Sequence, residues 1–308
     1  EFYLIDDSAE SLKPPKDPAS NRKIDSSAIL SLQQLDAFEA FFSELYQSCA
    51  QMGINAQAAS SEAGIGQFEI SLQHGDALRI ADDTWLFKTL LKGVARKHGY
   101  AASFMAKPYP NDAGNGLHLH FSVLDEAGEN IFDDGTKQGS PLLQNAVAGC
   151  LATMRAATLG FAPHANSYAR MDPENHAPTS ICWGYENRTA ALRIPAGAPI
   201  ARRIEHRVAG GDINPFLTLS LILGAALLGI EDDLTPPPPI TGNAYSQNLP
   251  QLIHSWSDAI EIFENDPMVA QILPAQLIEN FSLTKRQELD GLKNIPQEEH
   301  WKTYLETV

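Results

Sequence analysis

Apolar positions recur at helical spacing through Leu32, Leu35, Phe38, Phe42 and Leu45, which predicts a helix over 30–52 that stops at Gly53, a residue suited to a C-cap. A second helix is predicted from about Thr84 to His98, capped by Asp82 and Asp83 and closed by Gly99. A third runs from Leu142 to Leu159 and ends at Gly160, and a strongly apolar fourth spans Asn214 to Ile230. Short β-like runs lie at Glu1–Asp6, Ile54–Ala59, Ala101–Lys107, Gly116–Val123 and Ala190–Pro195. In the fourth of these, strand alternation puts His118 and His120 on one face, with Leu117, Leu119 and Phe121 on the other. Ser8–Ser26, rich in Pro, Lys, Asp and Ser, and Pro108–Asn115 read as loops, and Pro236–Pro239 as a polyproline segment. The remainder is helical and closes on an amphipathic piece, Pro296–Thr307. There is no internal repeat. Mixed helices and hairpin-like strands predict an α+β fold rather than a doubly wound sheet.

Composition narrows the classes of partner. The 308 residues are 44% hydrophobic and 19% charged, as expected of a globular protein, with a net charge of −16 that argues against nucleic acid or an anionic membrane as partner. The longest apolar run, Phe216–Ile230, is interrupted by Thr218 and Ser220 and falls short of the roughly 20 residues a bilayer requires, so it reads as a buried helix. Cys49, Cys150 and Cys182 are far apart and flanked by apolar or small residues, which predicts core packing, no disulfides and a reducing, cytoplasmic setting. No initiator Met or signal peptide is present. The chain opens in what reads as mid-strand, so a region upstream is expected.

Within this acidic chain, Asn166–Arg207 concentrates Arg170, Arg188, Arg193, Arg202, Arg203 and Arg207. Guanidinium groups read carboxylates and phosphates through a planar fork of donors, and strand alternation would aim some of these inward, where they need anionic partners. Candidate metal ligands on strand-like segments are Glu1, Glu62, Glu69, His118 and Glu205, with Glu62 and Glu69 flanking a glycine-rich turn. Carboxylates with one imidazole and no thiolate suit Mg²⁺ or Mn²⁺, two or more per site, better than zinc. Divalent cations beside arginines fit phosphoryl transfer from a nucleotide. Neither a G-x-x-x-x-G-K-[ST] loop nor a G-x-G-x-x-G after a strand occurs. Composition and spacing alone leave open a solvated basic face and ordinary surface carboxylates.

Ordered motifs then add a resemblance. Glu1-Phe2-Tyr3-Leu4, Glu62 with Glu69, Lys107-Pro108 followed by Gly114-Asn115-Gly116-Leu117-His118-Leu119-His120, Asn166-Ser167-Tyr168-Ala169-Arg170, Asn187-Arg188-Thr189-Ala190, Arg193-Ile194-Pro195 and Arg203-Ile204-Glu205-His206-Arg207 resemble segments of the glutamine synthetase catalytic domain. The resemblance implies one catalytic domain over 1–308, with a curved antiparallel half-barrel sheet packed by helices and a β-grasp domain upstream. It implies that Glu1, Glu62 and Glu69 hold one metal, and that His118 and Glu205 hold a second together with a Glu expected just upstream of residue 1. It implies that Arg170 and Arg207 grip the carboxylates of L-glutamate, with Gly114 giving backbone contact and His120 nearby, and that Arg188, Arg193 and Arg203 face the phosphates of ATP. It further implies ligation through γ-glutamyl phosphate, with Arg188 and Arg207 in catalytic positions, and a double-hexamer ring.

The chain departs from the ammonia-using members at four places: His176 where they carry a glutamate that attracts ammonium, Ala113 for Asn, Ile200 for Lys and Ser60 for His. A neutral imidazole cannot hold ammonium as a carboxylate does. The A-G-x-G-L-H segment, the W-G-x-x-N-R-T run, the R-R-I-E-H-R-V-A-G block and the P-P-P-P-x-x-G-N-A-Y loop are similar to those of gamma-glutamylpolyamine synthetases. They point to an organic amine or polyamine as acceptor, with His176 as a general base or as filler in a wider entrance. The alternatives are an ammonia-dependent enzyme, an idle relative with a structural role, and a guanidino kinase on the same barrel.

Overall fold

Strand β1 (Phe2–Ile5) is buried on both faces, which is why all four of its residues are apolar or aromatic. In the computed structural model every residue is described except Glu10, Asp25, Ser27, Ala28, Glu174 and Asn175; parts of the predicted Ser8–Ser26 loop and of the segment leading to His176 therefore lie outside the described residues. The chain divides into two compact units, one made of Glu1–Asn115, Gly210–Phe216 and Ile295–Val308, the other of Gly116–Ala209 and Leu217–Asn294.

In the first unit β1 lies inside an antiparallel four-stranded sheet, ordered β2 (Ala56–Ser61), β3 (Gln67–Leu72), β1, β4 (Ala101–Ser103). Phe2, Leu4 and Phe68 meet Phe38, Phe41, Phe42 and Leu45 in the core beneath it. The helix predicted over 30–52 is two helices, α1 (Leu32–Ala37) and α2 (Glu39–Met52), and Gly53 caps the second at φ +72° as expected. The break falls at Phe38, whose ring is drawn into the core against Phe68 and Tyr100 at 5.3 and 5.6 Å between centroids. As a result Leu32, a predicted core position, is 74% exposed. Helix α3 starts earlier than predicted, at Ala77, because Asp76 accepts from the backbone of Leu78 and Arg79 at 3.1 and 3.2 Å. Asp83, read as a cap, sits inside the helix and pairs with Arg79 at 2.9 Å. Strand β4 ends at Ser103 because the side chain of Asn115, not a neighbouring strand, takes the carbonyls of Ser103 and Met105. The C-terminal piece forms α11 (Trp301–Tyr304), shorter than predicted, and packs Leu305 on Tyr3, Ile5 and Ala101.

The second unit carries another four-stranded sheet, ordered β5 (Leu119–Phe121), β8 (Ile204–His206), β7 (Leu192–Ile194), β6 (Trp183–Tyr185). The α+β class is borne out, and within it β6 and β7 form one parallel pair among antiparallel ones. The helix predicted over 142–159 ends early: α4 spans Pro141–Met154, and α5 (Thr158–Phe161) follows a break. There the Thr158 N–H donates to Arg155 O at 3.4 Å, and its hydroxyl takes Met154 O at 3.2 Å. Short α6 (Ser167–Arg170) follows, and the apolar run forms α7 (Pro215–Glu231). Helices α8 (Trp256–Asn265), α9 (Pro267–Ile272) and α10 (Ala275–Leu292) complete the unit. Among the described residues no helix is long and apolar enough to cross a membrane.

Helices α4 and α7 touch backbone to backbone through two glycines. A Cβ on Gly149 would lie 2.0 Å from Ala225 O, and one on Gly229 would lie 2.1 Å from Asn145 O. Gly149→Val is therefore expected to lower stability by about 1–3 kcal/mol through overpacking. A urea midpoint unchanged from the parent would contradict this close approach.

Candidate active site

The carboxylates of the first unit are placed by a hairpin whose turn needs its glycines. Gly66 has φ +80°, and a Cβ on Gly64 would fall 1.8 Å from the Tyr3 hydroxyl. Gln67 locks the turn: its Oε1 accepts from Gly64 N at 2.9 Å, while its Nε2 donates to Gly114 O and Asn115 Oδ1 at 3.0 and 2.9 Å. Gly114, expected to offer backbone contact to a substrate, is thus buried with its carbonyl engaged by Gln67. Glu69 pairs across the hairpin with Ser60, and the Ser60 hydroxyl donates to Glu62 Oε1 at 3.0 Å. Ser60, noted in the sequence only as a departure from histidine, is therefore a direct partner of a candidate ligand. Burial raises the Glu62 carboxyl above its ordinary range, and the charges of Glu1 and then Glu69 add to the rise, against the Ser60 hydrogen bond. Glu1, Glu62 and Glu69 thus form one electrostatic group.

In the second unit Glu205, on β8, organises the basic residues. It is 2% exposed, and both of its oxygens are held: Oε2 by Arg193 Nη1 at 2.8 Å and Oε1 by Arg207 Nη1 at 2.6 Å. The register Arg193↔Glu205 across β7 and β8 brings the first pair together. Burial pushes the Glu205 carboxyl up, but Arg207, His120 and Arg193 outweigh it and hold it below the usual range. His118 Nδ1 and His120 Nε2 approach Glu205 Oε1 at 3.7 and 3.9 Å, so both imidazoles face it as alternation predicted, although β5 begins only at Leu119. Burial, with Arg207 and Arg170 nearby, holds His118 well below the ordinary imidazole range, so the ring is neutral near pH 7. His120 is lowered as well, first by burial, and its Nδ1 accepts from Arg203 Nε at 3.1 Å.

Arg170 is buried and donates to Val208 O at 2.8 Å. Two donors in this cluster, Arg193 Nε and Arg207 Nε, are buried without a hydrogen-bond acceptor. The inward arginines anticipated from strand alternation are therefore real, and they carry unused hydrogen-bonding capacity. Arg188, by contrast, lies exposed on the turn after β6, and His176 is exposed with φ +54°. Arg202, counted in the basic stretch but given no role, is 8% exposed and donates to Thr136 O and Lys137 O at 2.6 and 3.2 Å. It ties loop 133–138 to the segment that presents Arg203. Its place beside Arg203 was the only signal in the sequence, since alternation sends neighbouring side chains to opposite faces. Among the described residues no three His, Cys, Asp or Glu stand close enough to enclose a metal ion; the candidate ligands form a carboxylate group, Glu1, Glu62 and Glu69, in the first unit and a His118–Glu205 pair in the second. The three cysteines are buried and free, as expected.

A family model for the catalytic domain of glutamine synthetase matches residues 1–304. The chain belongs to the glutamine synthetase family. The match runs through both compact units. Among relatives of this family, gamma-glutamylputrescine synthetase PuuA of Escherichia coli is 39% identical over 86% of this chain and 57% of its own length. Glutamate–isopropylamine ligase of a Pseudomonas species is 33% identical over 100% of this chain and 68% of its own. A solved structure of GmaS without ligand aligns at a TM-score of 0.84 and 30% identity, covering 99% of this chain and 70% of that one. The chain thus spans little more than half the length of the first relative.

Proposed function

We propose that this chain supplies the catalytic residues of an enzyme that uses ATP to join the γ-carboxylate of L-glutamate to an organic amine. The observation that carries the reading is the cluster around Glu205, where Arg193 and Arg207 each keep a buried Nε–H without an acceptor. Buried donors of that kind call for anions. Glutamate and a nucleotide triphosphate are the anions that the family pairs.

The donor types suit divalent cations: the charges of Glu1 and Glu69 both act on the half-buried Glu62 carboxylate, and Glu205 faces the neutral ring of His118. Glu1, Glu62 and Glu69 would hold one Mg²⁺ or Mn²⁺, and His118 with Glu205 the second. When bound, these ions neutralise phosphate charge during transfer. The rest follows from the protein's own residues. Arg170 and Arg207 would fix the substrate carboxylates, with Gly114 and His120 as further contacts. Arg188, Arg193 and Arg203 would draw charge off the γ-phosphoryl group as it moves to the carboxylate oxygen. The amine nitrogen then attacks the acyl carbon of γ-glutamyl phosphate, phosphate leaves, and the proton lost from nitrogen passes to a base, for which His176 is the candidate. The exposed position of His176 suits an entrance through which a substituted amine passes. PuuA and the isopropylamine ligase are named for such amines. A ring-shaped homo-oligomer in the cytoplasm, completed by a β-grasp domain, belongs to the same proposal.

ADP release by the full-length protein, with glutamate and a panel of amines including ammonium, tests the reading. An organic amine is expected to support the fastest turnover, and His176→Glu to shift preference toward ammonium by about 10-fold or more. Faster turnover with ammonium in the parent protein would refute the organic-amine reading.

A further inference from the structure

One segment of the second unit remains without a role: the loop Gly242-Asn243-Ala244-Tyr245 that follows the polyproline run. It is built onto the turn that carries Arg188. Asn187 Nδ2 donates to Gly242 O at 2.8 Å, and Ala244 N donates to Thr189 Oγ1 at 2.9 Å. Thr189 in turn donates through Oγ1 to Asn187 Oδ1 at 2.7 Å. Below these bonds Ala244 packs with Cys182 and Ala190. Asn243 caps the single 3₁₀ turn by accepting from Tyr245 N at 3.0 Å, which orients the tyrosine. The Tyr245 hydroxyl is buried and has no hydrogen-bond partner. A buried phenol without a partner is costly, and a tyrosine has a donor to offer.

The surroundings say what that donor faces. Burial raises the Tyr245 hydroxyl above its ordinary value, while Arg207 and then Arg170 pull it back, so both cations lie within electrostatic reach of the oxygen. Arg207 also keeps a buried Nε–H without an acceptor. A phenol with an unused donor, within electrostatic reach of a guanidinium that has another, suits a shared acceptor that carries negative charge.

We propose that the Tyr245 hydroxyl donates a hydrogen bond to the carboxylate held by Arg170 and Arg207, making Tyr245 a further substrate-binding residue, set in place by the Asn187–Thr189 turn. The inference rests on the ligase reading above, in which that carboxylate belongs to glutamate. It also links two motifs of the sequence, N-R-T and G-N-A-Y, through direct hydrogen bonds rather than through proximity in the chain.

The test uses full-length protein and Tyr245→Phe, which removes only the hydroxyl. The KM for glutamate is expected to rise about 10-fold, the loss appropriate to one hydrogen bond to a charged acceptor, with the KM for ATP unchanged and the Tm of the ligand-free protein equal to the parent's or higher. Glutamate-dependent thermal stabilisation should weaken in parallel. Thr189→Val, which unhooks the loop from its turn, should raise the glutamate KM in the same direction and add little on top of Tyr245→Phe. A glutamate KM within 2-fold of the parent in Tyr245→Phe overturns the inference. So does a rise confined to Tyr245→Ala, because ring packing would then account for it. If the parent protein neither releases ADP with glutamate nor is stabilised by it, the ligase reading itself fails and the inference falls with it, an outcome distinct from the other two.

Discussion

Glu205→Ala is expected to cost roughly 3–5 kcal/mol of stability, the loss seen when one member of a buried ionic group is removed. The side chain is 2% exposed and is the common partner of Arg193 and Arg207, at 2.8 and 2.6 Å. Truncation leaves two guanidinium groups facing each other without the carboxylate that lay between them. Among the described residues Arg193 retains only the outer and more distant Glu186, at 3.7 Å. Most of the loss is thus the penalty of stranded charge, not the value of the bonds. Two further results separate these terms. Arg207→Ala combined with Glu205→Ala should cost less than the sum of the single changes, because one stranded cation is gone. Added sulfate should recover part of the stability of Glu205→Ala by supplying an anion where the carboxylate stood. Urea unfolding at constant m-value reads all three, and a loss below about 1 kcal/mol would show that the cluster is solvated and not buried. ADP release should fall by about 100-fold or more, since Glu205 orients two candidate phosphate and carboxylate ligands and is itself a candidate metal ligand.

This dependence was half legible in the sequence. The strand character of Ala190–Pro195 and the alternation around His118 and His120 were sufficient to predict inward arginines and two imidazoles on one side. What the chain could not reveal was cross-strand register. That Arg193 stands opposite Glu205 depends on how β7 and β8 pair across the intervening segment, and a shift of one residue would have turned the guanidinium to the other face. Helix ends failed for a different reason. Asp76 and the Asp82–Asp83 pair are equally good caps on composition, and only backbone geometry chose the first. The break after Met154, where the Thr158 N–H turns to Arg155 O, is a change of backbone bonding that apolar periodicity does not record. Ser60, Arg202 and Tyr245 were missed because their roles are hydrogen bonds to particular partners, and the sequence carries residue types but no distances.

A half-buried lysine in the first unit gives the second large effect, through pH. Lys88, on α3, donates from Nζ to Gly211 O at 2.9 Å and reaches Ile213 O at 3.4 Å, with the Phe104 ring centroid 5.0 Å away. It anchors a segment with no room to move, since a Cβ on Gly211 would lie 2.9 Å from Phe104 O. Burial lowers the ammonium from its ordinary 10.5 to about 8, with Asp212 opposing the shift and Lys92 adding to it. Below pH 8 the native and unfolded chains both carry this proton, so the group gives no slope. Between about pH 8 and 10.5 the native chain has released it while the unfolded chain keeps it. Stability must therefore rise with pH across that window. At about 1.4 kcal/mol per pH unit, the rise attributable to Lys88 is on the order of 3 kcal/mol. Lys88→Met should abolish it. The variant loses the bonds to Gly211 and Ile213 but also the cost of burying the ammonium, so its stability relative to the parent should be constant below pH 8 and decline by about 3 kcal/mol as pH climbs toward 10.5. Parallel urea midpoints for the two proteins from pH 7 to 10.5 would mean that the Lys88 ammonium is fully hydrated and does not anchor this loop.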